Sequence, residues 1–560
     1  MQELRTSLEE PRAWAAGLPR LSARAVGAAI GVSAAAAFLL ARLAPDVHGK
    51  PLFEDEAVTG LIAPQPIAEL LNTVLWERGG GPLHFLLGHL TLQLDPSAFA
   101  LRWLSVVFAL ATVPLCYDLG RRLAGQVAGV SAAIVAATST MLAVYGSFGR
   151  MYALYAFASA LALDLFVRAV QQPSGRNAFA AAAAAWLLPA IHPFGALLVG
   201  AEAIVALVLW RGRPLLPALP AAAVGLAMLP FAVADVRLAG RFDVGLDGET
   251  RIATPDDAFA QAIRSVAASA GGDGWTLGVL LALAIAGLAV LARRQPAFAA
   301  LAVLAFAIPP ILFVYLKTGS EPGLSPRHLI FLLPITAALI GAGVAFAARA
   351  VSYKAGPVAV AALAAVAILA PAGGITDPRD WSNDVLGGGP SDKALGSETA
   401  LAEPASWLRS AVGPTDVLFP YSAVFLSGLP ATGEATALPY SQSSLLVRSL
   451  DRVPTPVAQV FVSVPIGGAS LDRSVLAAEL GPEYSYERFD GWLLFRVAGP
   501  FDGRREVILP IYTSLVAARN SVEGNVRDEL AWYFEVSLSA LCGSIRELGA
   551  VCPADLEGRR

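Results

Sequence analysis

The sequence predicts a polytopic α-helical membrane protein that carries a C-terminal extracytoplasmic α/β domain. Three observations lead there. First, 56% of the 560 residues are hydrophobic and only 15% are charged, and mean hydropathy is +0.60; a soluble chain of this size needs roughly 25% charge to keep its surface wet. Second, apolar runs of about span length follow one another up to residue 372 and then stop. Third, arginines fall in alternate loops between those runs, as the excess of basic residues on the cytoplasmic side of membranes requires.

The spans are expected at 25–44, 98–118, 127–143, 152–170, 177–191, 194–210, 215–235, 276–292, 297–316, 327–348 and 356–372, each near the ~20 residues that cross the hydrocarbon. A further apolar piece, 82–94, is too short to span and reads as tilted or re-entrant. The count is therefore about 11–13 helices. The first span is long and lacks a cleavage site, so it reads as an uncleaved anchor. Arg5, Arg12, Arg20 and Arg24 put the tail 1–24 in the cytoplasm. Arg121 with Arg122, Arg168 with Arg176, Arg211 with Arg213, Arg293 with Arg294, and Arg349 with Lys354 mark the cytoplasmic loops that follow. The domain 25–372 then has its first external loop at 45–81. Loops 236–275 and 317–326 and everything after 372 also lie outside, and the high Ala, Gly and Arg content suggests the plasma membrane of a GC-rich bacterium.

Residues 373–560 mix Gly, Pro, Ser and charge with short apolar runs. Asp416–Tyr421 and Gln459–Val464 read as buried strands, and Tyr484–Val497 as a strand pair turning at Asp490-Gly491. Glu403–Ala411, Leu471–Leu480 and Glu529–Ser539 read as helices. Cys542 and Cys552 could pair if this end faces an oxidising compartment. There is no internal repeat and no phosphate-cradling glycine motif of the kind an ATP-driven pump needs. With a net charge of −4, nucleic acid is not an expected partner.

Ionisable side chains at a membrane boundary are costly unless solvated or paired, so a cluster of them is a site hypothesis. Of the five histidines, His48, His84, His192 and His328 fall at or near the outer surface, with His89 a turn or two deeper. Glu54-Asp55-Glu56 follow the first span, Arg150-Met151-Tyr152 open the fourth, and Arg327-His328 open the tenth. Successive helical residues fan out by about 100°, so at most two of the three carboxylates can aim at one centre. They read either as a general base or as markers of a wet loop. A divalent cation on them is possible but not favoured, because no second acidic cluster exists. The partners have plainer readings as well: Arg150 and Arg327 as interfacial anchors, Tyr152 as a belt aromatic, His192 as a helix cap before Pro193, His89 as buried structure. Glu202, deep in an apolar span, and Asp164 with Arg168, an i,i+4 pair, are read as structural.

The ordered set of Asp55-Glu56, Gly81-Pro82-Leu83-His84, Ala100-Leu101-Arg102-Trp103-Leu104-Ser105, Leu119-Gly120-Arg121-Arg122-Leu123-Ala124-Gly125, Gly149-Arg150-Met151-Tyr152-Ala153-Leu154 and Ser325-Pro326-Arg327-His328-Leu329 resembles the GT-C superfamily of membrane glycosyltransferases. The similarity is to the branch that holds protein O-mannosyltransferases and lipid A aminoarabinose transferases, over most of residues 25–350. The resemblance implies a GT-C-like fold and transfer of one sugar from a polyprenyl-phosphate donor to an acceptor hydroxyl on the outer face, in cell-envelope glycan or glycoprotein synthesis. It maps the family's first-loop base onto Asp55 and the second acidic position onto Glu56. The family's frequent Pro-Pro after a His or Lys is replaced here by Gly81-Pro82-Leu83-His84, so the resemblance leaves the donor-phosphate ligand unassigned.

The chemistry agrees with this. A lipid-borne donor arrives already activated, so no nucleotide fold is needed. Breaking the anomeric C–O bond leaves charge on phosphate, which fixed cations stabilise in a water-poor cleft. Arg150 and Arg327 are the candidate cations, with His84, Tyr152, His192 and His328 as further substrate contacts and Asp55 as base; direct displacement would invert the anomeric centre. The acceptor is open between polysaccharide, glycolipid and protein. Two other classes compete: a transporter or flippase of a lipid-linked precursor, disfavoured because the ionisable groups gather at one face rather than the midplane, and a non-catalytic scaffold, which predicts that Asp55 and Arg150 are replaceable.

Overall fold

The computed structural model describes residues 23–49, 52–78, 81–209, 226–234, 255–271, 274–316, 326–352, 354–369, 398–429, 431–439, 443–467, 469–523 and 526–554. The N-terminal arginines Arg5, Arg12 and Arg20, most of the expected span 215–235 and the link 373–397 lie outside them. The helical part runs α1 (Ala23–Gly49), α2 (Glu54–Ile62), α3 (Ile67–Thr73) with a π turn (Val74–Arg78), α4 (Leu83–Leu94), α5 (Ala98–Ala124), α6 (Gln126–Thr138), α7 (Thr140–Tyr145), α8 (Tyr152–Gln171), α9 (Gly175–Ile191) and α10 (Gly195–Leu209). It continues with α11 (Pro255–Ala270), α12 (Gly274–Arg294), α13 (Pro296–Leu316), a 3₁₀ turn (Pro326–Leu329), α14 (Leu332–Val351) and α15 (Gly356–Leu369). The protein is a multi-pass membrane protein: among the described residues five helices, in α1, α5, α8, α12 and α14, are long and apolar enough to cross a membrane.

Local chemistry explains where the helices begin and end. Ser97 starts α5 by accepting from the Phe99 N–H, and Arg121 and Arg122 occupy its last turn, where the helix dipole favours cations. The expected span 127–143 is broken in two at Ser139, which leaves helical backbone (ψ 143°) and caps α7 by accepting from Leu142 N–H. A short hydroxyl side chain offers the backbone this alternative, which hydropathy does not register. The piece 82–94 is the twelve-residue helix α4, about 18 Å long and thus shorter than the hydrocarbon. The expected external loop 236–275 contains α11, which packs against α13 and α14. Ser265, Ala268, Ser269 and Ala270 are wholly buried there while Ile263 and Arg264 face out, so small residues rather than large apolar ones mark its inner face. Asp164 pairs with Arg122 of α5, not with the exposed Arg168 expected from their spacing.

The C-terminal region is an α/β domain. Its elements are α16 (Glu398–Ala411), β1 (Val417–Phe419), α17 (Ala423–Ser427), α18 (Ala431–Glu434), β2 (Thr436–Ala437), α19 (Ser443–Leu450), β3 (Val457–Gly467), β4 (Ser470–Leu471), α20 (Arg473–Glu479), β5 (Tyr484–Phe489), β6 (Gly491–Phe501), α21 (Arg504–Ser521), β7 (Val522–Glu523) and α22 (Val526–Glu547). The sheet order is β2-β1-β3-β6-β5, with β1 parallel to both neighbours and the rest antiparallel. The expected turn at Asp490-Gly491 is present, with Gly491 at φ 79°. Helix α21, absent from the expectation, supplies Val507, Ile508, Ile511 and Leu515 to the core. Cys542 and Cys552 form a disulfide.

This domain is not merely hung on the bundle. Leu61, Ile62, Leu70, Phe85 and Leu101 share one hydrophobic core with Leu418, Phe425, Leu426, Phe461 and Trp492, so the first loop and the α/β domain fold against each other. Arg452 crosses the same seam to Glu77 at 2.6 Å. Burial alone would lower the Arg452 value, but Glu77 and Tyr421 outweigh it and hold the guanidinium above its ordinary value.

Candidate active site

The end of the bundle that meets the α/β domain gathers the expected side chains. Helix α2 begins at Phe53, whose extended backbone (φ −99°, ψ 153°) lets its N–H donate to the Glu56 carboxylate at 3.0 Å. Glu56 is 2% exposed. Its Oε1 accepts from Arg102 Nε at 2.8 Å and from Gly149 N–H at 2.7 Å, and its Oε2 from Arg102 Nη2 at 2.6 Å. Four donors therefore fill this carboxylate. The expectation of two acidic residues at the reacting centre resolves into two different jobs. Arg102, which the sequence motifs assign no role, is buried and also donates to Val47 O at 3.0 Å. A lone arginine inside an apolar run requires such a partner, and that was the signal for it.

Through Gly149, Glu56 fixes the turn that carries Arg150. Ser105 holds the same turn from α5, donating to Phe148 O at 2.6 Å. Arg150 is 6% exposed, its Nη2 lies 3.8 Å from Asp55 Oδ1, and its Nε has no hydrogen-bond partner among the described residues. Asp55 stands one residue before Glu56 and so projects about 100° around the helix from it. It is 36% exposed and also meets Arg327 Nη1 at 3.3 Å. One half-exposed carboxylate thus sits between two guanidiniums from distant parts of the chain.

Aromatic rings pack around these charges. The Arg327 guanidinium lies 6.0 Å over the Tyr152 ring, within cation–π range. Tyr152 packs against Phe148, Tyr145 and His192. His192 ends α9, is 5% exposed, and stacks on Tyr155 with ring centroids 5.3 Å apart. Its Nδ1 accepts from Phe194 N–H at 3.2 Å across the turn between α9 and α10. His328 stacks on Phe194 at 4.6 Å and lies 5.6 Å from His192. Tyr155 and Phe194 belong to this wall but sit in apolar runs that gave them no signal.

His84 opens α4, and Gly81 places it. A Cβ at Gly81 would lie 2.1 Å from Ala190 O, so only glycine lets this turn press against the last turn of α9, next to His192. His84 is 2% exposed and neither ring nitrogen makes a hydrogen bond of normal geometry among the described residues, although Gly149 and Arg150 are close by. The other histidines stand apart. His48 is exposed beside Phe99, and His89 is occupied by Ala63 O and Gln93, as its structural reading requires. Glu202 is buried in α10, away from the residues just described.

No protein-family model matches the sequence, and no curated protein matches it. Among solved structures the chain is similar to ArnT from Cupriavidus metallidurans in the apo state, at 15% identity over 86% of this chain and 100% of that chain, with TM-score 0.56. It is equally similar to ArnT from Cupriavidus metallidurans bound to undecaprenyl phosphate, at 14% identity over 84% and 99% of the two chains, with TM-score 0.56. Similarity to the arabinofuranosyltransferase AftD from mycobacteria covers 87% of this chain and 40% of that chain, at 15% identity and TM-score 0.47. The fold is that of the GT-C glycosyltransferases.

Proposed function

We propose that this protein transfers one sugar from a polyprenyl-phosphate carrier to an acceptor hydroxyl on the non-cytoplasmic side of the plasma membrane, with Asp55 as general base. The observation that carries the proposal is the half-exposed Asp55 carboxylate held between Arg150 and Arg327. The shared fold supports it, since one ArnT structure is a complex with undecaprenyl phosphate, and a carrier of that class would place its phosphate at the membrane boundary.

Without substrate the two guanidiniums engage Asp55. The donor phosphate competes for the same guanidiniums, bringing strong acceptor oxygens to the open nitrogen of Arg150 and to Arg327. That frees Asp55 to accept the acceptor's hydroxyl proton. The acceptor oxygen then bonds to the anomeric carbon, and the anomeric C–O bond breaks with its electron pair going to the phosphate. The proton ends on Asp55, and the polyprenyl phosphate leaves with one more negative charge. Arg150 and Arg327, packed among aromatic rings, stabilise that charge without reorganising, and His84, buried beside Arg150, would donate to the same group. A single displacement of this kind inverts the anomeric centre. Glu56 takes no proton; it positions Arg150.

The test is release of polyprenyl phosphate by the purified full chain from a panel of polyprenyl-phosphate sugars, with a cell-envelope extract as acceptor source. One donor should be consumed, and Arg150→Ala and Arg327→Ala should each slow its turnover by about 10²–10³, as loss of a fixed charge-stabilising donor does. Turnover unchanged in both variants, or consumption of no donor, would contradict the proposal.

A further inference from the structure

A second concavity lies on the seam between the first loop and the α/β domain. It is a cavity of about 460 Å³, within the range of small-molecule sites, and it is separate from the Asp55 cleft. Helices α2 and α4 join the two places. They lie side by side, Gly88 against Thr59 and Ala63. Both begin at the cleft, with Asp55 and His84, and both run to the cavity, which Gln65 and Gln93 line. From His84 to Gln93 the rise along α4 is about 13 Å.

The lining combines rigid apolar walls with oriented polar groups. Pro64, Pro66, Pro96 and Pro414 supply apolar walls with no side-chain entropy to lose. Gln65 is 9% exposed and is oriented by a relay across the seam: Arg452 Nη1 donates to Thr73 Oγ1 at 2.8 Å, and Thr73 Oγ1 donates to Gln65 Oε1 at 3.0 Å. With its carbonyl so occupied, Gln65 presents its amide N–H groups to the cavity it lines. His89 Nδ1–H donates to Ala63 O at 2.8 Å, which leaves Nε2 as the acceptor that fixes the Gln93 amide at 2.7 Å. Glu69 and Glu434 line the same cavity, exposed and outside every ion pair found among the described residues. Among the described residues the one arginine or lysine there, Arg452, is engaged by Glu77.

Oriented amide donors, free carboxylate acceptors and apolar walls suit a group whose hydroxyls both donate and accept. The two free carboxylates oppose a phosphate, so the donor does not fit. We propose that the seam cavity binds a sugar unit of the acceptor, remote from the hydroxyl that reacts. The acceptor is then a glycan of several units, gripped at one point and glycosylated about 13 Å away along α2 and α4. This assignment rests on the transfer reaction proposed above.

The experiment is saturation-transfer NMR on the purified full chain in detergent, with a sized pool of short neutral oligosaccharides released by mild acid from the producing organism's envelope. Binding of undecaprenyl phosphate is measured in parallel. Wild type should bind the pool. Glu434→Arg and Gln65→Leu should each weaken it about tenfold, the cost of one hydrogen bond to a charged or buried polar partner, with lipid-phosphate binding unchanged. Glu434 is exposed, so its substitution does not threaten the fold. No pool binding by wild type, or undiminished binding in both cavity variants, would overturn the assignment. Wild type that binds the pool but not the lipid phosphate would instead overturn the transfer reading.

Discussion

Replacing Glu56 by glutamine removes one charge and almost no volume, yet it should unfold the site rather than merely silence it. Glu56 and Arg102 are 2% and 1% exposed, with their closest atoms 2.6 Å apart. The carboxylate accepts all four of its donors through two oxygens. Glutamine offers one oxygen, and in either orientation its NH₂ faces one guanidinium N–H and one backbone N–H, donor against donor. Breaking a buried pair by removing one partner costs about 3–5 kcal/mol, because the other charge stays buried. Asp55→Asn is the contrast. Its carboxylate is 36% exposed and its partners stand at 3.3 and 3.8 Å, so solvent screening limits the loss to about 0–1 kcal/mol. SDS-titration unfolding in one detergent measures both variants. Glu56→Gln combined with Arg102→Gln should lose less than the sum of the single changes, by about 0.5–3 kcal/mol. A Glu56→Gln protein as stable as wild type, or an Asp55→Asn protein as unstable as Glu56→Gln, would refute this division of labour.

Other perturbations follow from the packing. A Cβ at Gly60 would lie 2.1 Å from Leu426 Cδ1, so Gly60→Leu should destabilise the seam by about 1–3 kcal/mol and expose the α/β domain to limited proteolysis. Gly81→Ala should displace the end of α9, where Ala190 O is 2.1 Å from the new Cβ, and lower turnover while melting of the α/β domain stays put. Opening the Cys542–Cys552 bridge, ten residues apart, should cost about 2–4 kcal/mol, read as a reductant-sensitive melt of that domain.

The site was largely legible because ionisable groups are scarce in this chain. Asp55, Arg150, Arg327, His84, His192 and His328 stand out against apolar runs, and five segments distant in sequence bring them to one end of the bundle, while His48 stays apart from them. What remained hidden depended on partners far along the chain. Asp55 and Glu56 are chemically alike and adjacent; only Arg102 and Gly149 decide which of them is buried. The same holds for Asp164, which pairs with Arg122 across two helices rather than with Arg168 one turn away. Helix α11 escaped notice because its buried face is built from Ser and Ala, which hydropathy ranks low. The seam was hidden for a related reason: the apolar residues of α2 and α17 read as two separate local cores until the fold brings them together. Orientation of the bundle in the membrane rests on the arginine pattern.

The most direct test of the account is single-turnover sugar transfer in membranes that contain the productive radiolabelled polyprenyl-phosphate donor, comparing wild type with Asp55→Asn at matched expression and matched donor binding. The account predicts labelled product from wild type and a rate lower by about 10²–10⁴ in the variant, the contribution of a positioned general base. Equal rates in the two proteins would contradict it.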